Sequence, residues 1–453
     1  MTTLALKNVA DRIQGSHLIG DCQFQRVSTD TRSIQAGDLF VALKGDRFDA
    51  HDFLEQAVQK HAAGVLVEQT RKDFALPQLV VNDSTRALGT IANINRKLFH
   101  GPVVAITGSG GKTTVKNLVK NILQHCGEVY ATQGNLNNHI GVPLTLFELN
   151  PSHDFAVVEM GASGPGEIDY LCRIAEPTVA LVNNALRAHV AGFGSVEGVA
   201  KAKGEIFAGL GDDGVAIVNV DDPHHAIWLQ QIGSRKKFTF SAQGDGADFI
   251  AKDVEDLPSG GTRFQLVTPA QEIVIHLSLL GRQNVANALA AAACTYAVGA
   301  DSSAIKNGLE ETAAYKGRMQ HRHGKKGSRL IDDSYNANPD AVKAAIDYLA
   351  KQTGDTVLVL GDLGELGQNE IQYHQELGQY AKAAGIKRLV TKGVLSKHSS
   401  VEFGENAQHF ESFDALNNYL LTTISADSVV LVKGSRMSQM EHVVSALAID
   451  GES

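Results

Sequence analysis

The stretch Thr107-Gly108-Ser109-Gly110-Gly111-Lys112-Thr113-Thr114 limits the possible folds more than any other part of the chain. It follows an apolar run, Val103-Val104-Ala105-Ile106, and opens a segment in which Val115, Leu118, Val119, Ile122 and Leu123 recur at helical spacing. An apolar strand, a glycine-rich turn, Lys-Thr and a helix form the layout of a phosphate-binding loop. Glycines let backbone N–H groups approach phosphate oxygens, and the helix N-terminus adds a favourable dipole. Lys112 can reach terminal phosphates, and the Thr113 hydroxyl can ligate Mg²⁺. The loop therefore reads as a site for ATP or GTP, built from Gly108, Ser109, Gly110, Gly111, Lys112, Thr113 and Thr114. The strict pattern would place a glycine where Ile106 stands, so this is a short variant with Gly108 four residues before the lysine. The alternative is an ordinary strand-to-helix turn, and the matching context on both sides weighs against it.

A chain of 453 residues is too long for one core. Alternating apolar runs and helix-like segments divide it into three α/β domains. Residues 1–81 form a small α/β unit with runs at 39–43 and 64–67. Residues 82–313 form the core around the phosphate loop, with strands at 103–106, 155–159, 179–183 and 215–218. Residues 314–453 form a Rossmann-like unit with strands at 329–332, 356–360, 388–391 and 428–432 and helices at 339–351, 370–384 and 413–421. The strands lack polar alternation, which predicts parallel sheets covered on both faces. The segment 236–280, with Lys237-Phe238-Thr239-Phe240 and Phe264-Gln265-Leu266-Val267, is more β-rich and suggests an antiparallel extension.

The net charge of −9 argues against nucleic acid or an anionic membrane as the main partner. Four scattered cysteines without metal-ligand spacing point to buried free thiols in a reducing cytoplasm. The start, MTTLALKNVADRIQG, has no apolar signal core. The Ala-rich stretch Val285 to Val298 carries Asn287 and Thr295 and reads as a buried helix, not a membrane span.

Polar clusters at strand ends carry the candidate chemistry, because ligands of open parallel sheets gather there. Glu159 closes the run Val157-Val158 and is either a Mg²⁺ ligand or a solvated strand end. Asn183-Asn184 follow another strand, with His189 and the loop Gly192-Phe193-Gly194-Ser195 beyond. Spacing alone leaves His189 between a metal role and a structural one. Ala200-Lys201-Ala202-Lys203-Gly204-Glu205-Ile206-Phe207 reads by itself as a basic helix surface. In the last domain Asp332 to Pro339, Asp362 and Glu365 in 361–367, and Lys433-Gly434-Ser435-Arg436 all follow strands. Together they suggest a crevice facing the phosphate loop. Hydroxyl and charged residues at 28–32 and at Lys44-Gly45-Asp46-Arg47 mark the first domain.

In this order and spacing the motifs resemble those of the Mur ligases, the ATP-dependent amino-acid and peptide ligases of bacterial cell-wall precursor synthesis. The resemblance rests on the short loop 107–114, Glu159, Asn183-Asn184 with His189, Ala202-Lys203 with Ile206-Phe207, Leu280-Gly281-Arg282-Gln283-Asn284-Val285 with Asn287, and Gly317-Arg318-Met319. It covers nearly the whole chain. Within the family, 333–340, 360–367, 134–138 with 141–144, and 433–436 look like the branch that joins D-alanyl-D-alanine to UDP-N-acetylmuramoyl-tripeptide. The Asp-Asn-Pro-Arg motif of the diaminopimelate-adding branch is absent.

The resemblance implies ATP and two Mg²⁺ ions, one held by Thr113 and Glu159. The other would be held by His189 and by Lys203 carrying CO₂ as a carbamate. It implies Lys112, Glu159, His189 and Lys203 as the catalytic set, with Asn284, Arg318 and Asp333 at ATP or the domain joint. Ser28, Thr31, Arg32 and Lys44 would hold the UDP end, Asn135, Asn137 and Asn138 the sugar-peptide, and Tyr335, Asn336, Asn338 and Arg436 the dipeptide. The expected product is the UDP-muramoyl-pentapeptide, made through an acyl phosphate by a monomeric cytoplasmic enzyme that closes on its ligands. Two other readings remain at this level. One is a different amide ligase of the same fold, such as another Mur enzyme or a folate polyglutamating enzyme. The other is a nucleotide-switch or partition-type ATPase acting through a protein partner.

Overall fold

The computed structural model describes residues 1–45, 48–257 and 260–449. Asp46 and Arg47 of the first-domain cluster lie outside these residues. Three sheets of five, nine and six strands follow one another along the chain, with a two-stranded pair at the start.

The five-stranded sheet runs in the order His17–Ile19, Gln78–Val80, Gly64–Val67, Leu39–Val41, Val27–Ser28, antiparallel only at its first pair. One face packs Phe40, Val65 and Val67 against Leu54 and Ala57. The other shares a core with the helix Ser84–Leu98 and with Val103, Ala105, Ile168 and Leu171 of the next unit. Asp83 caps that helix by accepting the Arg86 N–H at 2.8 Å. Near its C-terminus, the buried Arg96 donates to the carbonyls of Ala175 (2.7 Å), Phe99 (2.8 Å) and Glu176 (2.9 Å).

The nine-stranded sheet places Val103–Thr107 between Phe155–Glu159 and Val179–Val182, all parallel. The chain leaves Val103–Thr107 toward Val129–Ala131 and Phe155–Glu159, then crosses to the other side. The loop after Val103–Thr107 thus opens at a topological switch point. Val215–Asn219 and Lys236–Ser241 extend the parallel part. Lys237 to Phe240 therefore belongs to the parallel sheet; the antiparallel ribbon starts one strand later, with Phe249–Asp256, Thr262–Val267 and Glu272–Leu277. Helix Lys112–Gln124 buries Val115, Leu118, Val119, Ile122 and Leu123 against the sheet and against helices Gln283–Ala297 and Ser302–Glu310. The middle of Gln283–Ala297 is almost all alanine, with Ala288 and Ala290 to Ala293 fully buried, so the two helices approach closely.

The six-stranded sheet runs Gln320–His323, Arg329–Asp333, Ser428–Lys433, Asp355–Gly361, Arg388–Lys392, Ala407–Phe410, antiparallel only at its first pair. The fold class is thus mixed α/β with largely parallel sheets. Pro339 sits at the first helical position of Pro339–Ala350, and Gly385 follows Glu370–Ala383 with φ +81°. No helix of the described residues is long and apolar enough to cross a membrane. All four cysteines are free; Cys172 and Cys294 are buried as expected, whereas Cys126 is exposed.

Candidate functional site

A cavity of about 1000 Å³ opens where the strand ends of the nine-stranded sheet face those of the six-stranded one. Its floor is the phosphate loop, whose shape follows from a net of amides. Asn184 accepts the Gly110 N–H on Oδ1 (2.8 Å) and the Ser109 N–H on its carbonyl (3.0 Å). Asn183 donates to the Gly110 carbonyl (3.0 Å) and to Asn287 Oδ1 (2.9 Å), and Asn287 donates to Asn284 Oδ1 (2.7 Å). Gly111 has φ +77°, and a methyl group there would sit 2.4 Å from Asn287 Oδ1 and 2.5 Å from Asn183 Nδ2. Only glycine fits this position.

At the head of the following helix, Thr113 donates its hydroxyl to Glu159 Oε2 at 2.9 Å and accepts from Arg318 at 2.8 Å. Asn137 donates to the second carboxylate oxygen of Glu159 at 2.8 Å, and the Thr132 hydroxyl accepts the Glu159 N–H at 3.0 Å. Lys112 donates to the Gly108 carbonyl at 2.7 Å; burial lowers its pKa, Glu159 opposing and Arg318 assisting. Lys116, one turn further along, is buried and donates to the Thr132 carbonyl at 2.7 Å.

Lys203 is 1% exposed, with its ammonium 5.7 Å from the centre of the Phe193 ring. Burial first, then Lys112, brings its pKa down to about 7, with Glu167 and Glu205 acting in the opposite sense. The helix placing it, Val196–Gly204, buries Lys203 together with Val199, Ala200 and Ala202, and a 3₁₀ turn at Glu205–Gly209 follows. His189 lines the cavity with its Nδ1 against a carboxylate oxygen of Glu365 from the six-stranded unit. Its pKa is lowered, mainly by burial, with Glu365 opposing and Lys112 and Lys203 assisting. Glu167, which the sequence reading passed over, also lines the cavity and acts electrostatically on both His189 and Lys203. Its only sequence signal is an acid in the first turn of Glu167–Ala175, the ordinary pattern of a helix start.

From the six-stranded unit, Arg318 stacks 4.4 Å over the Tyr335 ring. Asp333 accepts from Lys433 at 2.5 Å and from the Met319 N–H at 3.2 Å; burial raises its pKa against the pull of Lys433. Asn336 lines the cavity and accepts the Arg436 N–H at 3.2 Å. Asn138 and Asn338 also line it, yet both carboxamides are engaged locally: Asn138 accepts the Gly141 N–H at 2.9 Å, and Asn338 caps Pro339–Ala350 by accepting the Ala341 N–H at 2.8 Å. Asn135 and Arg436 are outside the cavity lining, and Arg436 pairs with Glu441 at 2.8 Å. Ser28, Thr31, Arg32 and Lys44 are also outside it. The buried Ser28 hydroxyl donates to the Asp30 carbonyl at 3.0 Å. The exposed Arg32 pairs with Asp30 at 2.6 Å and holds that carboxyl down to about 2.

Two units are joined across the cavity by a residue that sequence reading did not single out. Arg187 donates to Asp340 at 2.6 and 3.0 Å and to Glu376 at 3.1 Å, and its guanidinium lies 5.1 Å from the Tyr373 ring centre.

A short phosphate loop, an acid at the neighbouring strand end and a facing Rossmann-like unit that sends Arg318 to the loop define a nucleotide-dependent ligase of the P-loop class. The model of the Mur ligase middle domain matches residues 106–295, and that of the Mur ligase, glutamate ligase domain, matches residues 317–436. The chain belongs to the Mur ligase family. Over all of both chains it is 45% identical to UDP-N-acetylmuramoyl-tripeptide--D-alanyl-D-alanine ligase of Escherichia coli (strain K12). Among solved structures it resembles MurF from Acinetobacter baumannii, with a TM-score of 0.92 and 36% identity over 98% of each chain. It also resembles MurF ligase from Thermotoga maritima in complex with ADP, with a TM-score of 0.83 and 28% identity over 93% of this chain and 96% of that one.

Proposed function

We propose that this chain joins D-alanyl-D-alanine to UDP-N-acetylmuramoyl-tripeptide at the expense of ATP, releasing ADP and phosphate. The observation that carries the reading is the cavity itself. It sets the phosphate loop, Glu159, His189 and Arg318 around one space between two units, in a chain 45% identical end to end to a ligase of that name. The segments 1–81, 82–313 and 314–453 would serve the UDP end, the nucleotide and the dipeptide respectively. A cytoplasmic monomer supplying cell-wall synthesis, and through it cell shape and division, belongs to the same reading.

Gly108 to Thr114 cradle the phosphates of ATP, and Lys112 stabilises charge on the terminal one. The terminal carboxylate of the tripeptide attacks the γ-phosphorus, the bond to the bridging oxygen breaks and ADP leaves. The acyl phosphate is then attacked at its carbonyl by the free amine of the dipeptide. The tetrahedral intermediate collapses with the C–O bond to phosphate breaking, and the departing phosphate carries away the proton that the amine gives up. Enclosure between the two units keeps water from the acyl phosphate.

The donor set suits Mg²⁺. Thr113 and Glu159 bring a hydroxyl and a carboxylate oxygen within 2.9 Å of each other. Among the described residues no three His, Cys, Asp or Glu side chains are grouped to hold a second ion by themselves. A carbamate on Lys203 would add the missing anion beside His189, and an amine with a pKa of about 7 has the unprotonated fraction that CO₂ requires. Bound there, Mg²⁺ would offset phosphate charge as it moves between oxygens.

The test is Mg²⁺-dependent phosphate release with each substrate omitted in turn. Release that requires both, with pentapeptide formed, supports the ligase; ATP hydrolysis indifferent to both returns the switch ATPase.

A further inference from the structure

His189 and Glu365 meet across the cavity from different units, and both hold unusual backbones. His189 has φ +55° and Glu365 φ +61°, the left-handed region that non-glycine side chains rarely adopt. Strain of this kind persists where surrounding structure enforces it, and it concentrates at functional sites.

The enforcement is visible on both sides. Glu365 is exposed, but Leu363 and Leu366 flanking it are 1% and 2% exposed in the core of the six-stranded unit. Upstream, the buried His374 accepts the Leu363 N–H on Nε2 at 3.1 Å, and its Nδ1 donates to the Glu370 carbonyl at 2.7 Å. The loop is thereby pinned at both shoulders with Glu365 held out from it. On the facing side, the segment after His189 is packed so tightly that a methyl group at Gly192 would lie 1.9 Å from the Ser163 carbonyl oxygen. The Ala191 N–H donates to the Glu365 carbonyl at 3.4 Å, so the two loops touch through backbone as well as side chain.

The imidazole itself is placed asymmetrically. Its Nδ1 is buried, and what it meets there is the Glu365 carboxylate, in ion-pair contact. The ring nevertheless lines the cavity, which leaves the Nε2 edge for whatever the cavity holds. A histidine that ligates a cation through one nitrogen is held in the needed tautomer by a carboxylate or carbonyl at the other. Here the carboxylate comes from a different unit of the protein.

We propose that Glu365 is a positioning residue for His189: it takes the Nδ1 proton in a hydrogen bond, fixes the Nδ1–H tautomer and leaves the Nε2 lone pair free for a divalent cation beside the ATP phosphates. Because Glu365 belongs to the six-stranded unit, seating of that unit and completion of the cation centre become one event. The inference rests on the ligase reading for the identity of the cation and nucleotide, but not for the tautomer.

The experiment uses full-length protein labelled with ¹⁵N-histidine and free of metal, at pH 8. Long-range ¹H–¹⁵N spectra report the tautomer, and His189→Gln identifies the His189 signals. Glu365→Gln keeps an oxygen acceptor; Glu365→Gly removes the carboxylate while relieving the left-handed backbone, so it remains folded. The wild type and Glu365→Gln are expected to show the Nδ1–H tautomer, and Glu365→Gly a shift toward Nε2–H. Mn²⁺ titration with a non-hydrolysable ATP analogue should give a dissociation constant 10- to 100-fold weaker for Glu365→Gly and within about threefold of wild type for Glu365→Gln. Identical tautomer and Mn²⁺ affinity in wild type and Glu365→Gly would overturn the proposal. A wild type that makes no pentapeptide, with the tautomer still changing on Glu365→Gly, would instead overturn the ligase reading and leave the positioning role standing.

Discussion

Gly111→Ala tests how the phosphate loop is held. The added methyl group would enter the space of both Asn287 Oδ1 and Asn183 Nδ2, at 2.4 and 2.5 Å. Those two atoms are hydrogen-bonded to each other at 2.9 Å, and both side chains are buried, so neither can swing into water. Placing alanine at φ +77° costs about 1–2 kcal/mol. Breaking the amide pair adds about 1 kcal/mol, more if a buried group is left without a partner. The sum is about 3 kcal/mol. If the strain is relieved by moving the loop, nucleotide affinity falls by roughly 100-fold, since about 1.4 kcal/mol corresponds to a factor of ten. The assays are thermal unfolding and titration with a fluorescent ATP analogue. Gly110→Ala is the comparison for stability, because its new methyl group meets nothing closer than Leu186 at 3.5 Å and its backbone is not left-handed. Equal melting temperatures for the two variants, with nucleotide affinity of Gly111→Ala within twofold of wild type, would refute the packing account.

Three further outcomes are expected. Lys203→Ala should lower activity by on the order of 100-fold, with partial recovery in a short carboxylate such as formate; full activity without it would end the carbamate reading. A double-mutant cycle of Arg187→Ala and Asp340→Ala, read by urea unfolding, should give a coupling of about 2 kcal/mol, because the bonds are charge-assisted and partly buried; a coupling below about 0.5 kcal/mol would make the pair incidental. Burial lowers the pKa of His374, so the folded protein favours its neutral form and the unfolded chain takes up the extra proton. Stability is therefore lost as pH falls below 6.5, the unfolded value, and urea midpoints of His374→Gln should fall less steeply than those of wild type between pH 6.5 and 5.

The nucleotide half of the site was legible because strand, turn and helix are contiguous. Each apolar residue assigned to the helix after the loop is fully buried. Lys203 was not legible by itself: a lysine on an Ala-rich helix looks solvated, and only the fold buries it. Long-range partners were invisible for the same reason. Glu365 lies far along the chain from His189 and Asp340 far from Arg187, and no local pattern links them. Asn338 shows the opposite limit, since a polar residue before a helix serves as a cap whatever else surrounds it. The strand Lys236–Ser241 was grouped with the antiparallel extension that follows it, although it pairs parallel with its neighbour.

Helix Lys112–Gln124 owes its outer cover to Gln283–Ala297 and Ser302–Glu310, elements completed 173 and 186 residues after its end. A ribosome adding about 5–20 residues per second needs roughly 10–40 s to bridge that interval. For that time the nascent phosphate loop has its sequence but lacks Asn287, and the part of its helix that packs on Gln283–Ala297 and Ser302–Glu310 is uncovered. Competence to bind nucleotide therefore arrives late in synthesis, and chains released before about residue 310 should be substrates for chaperones and proteases.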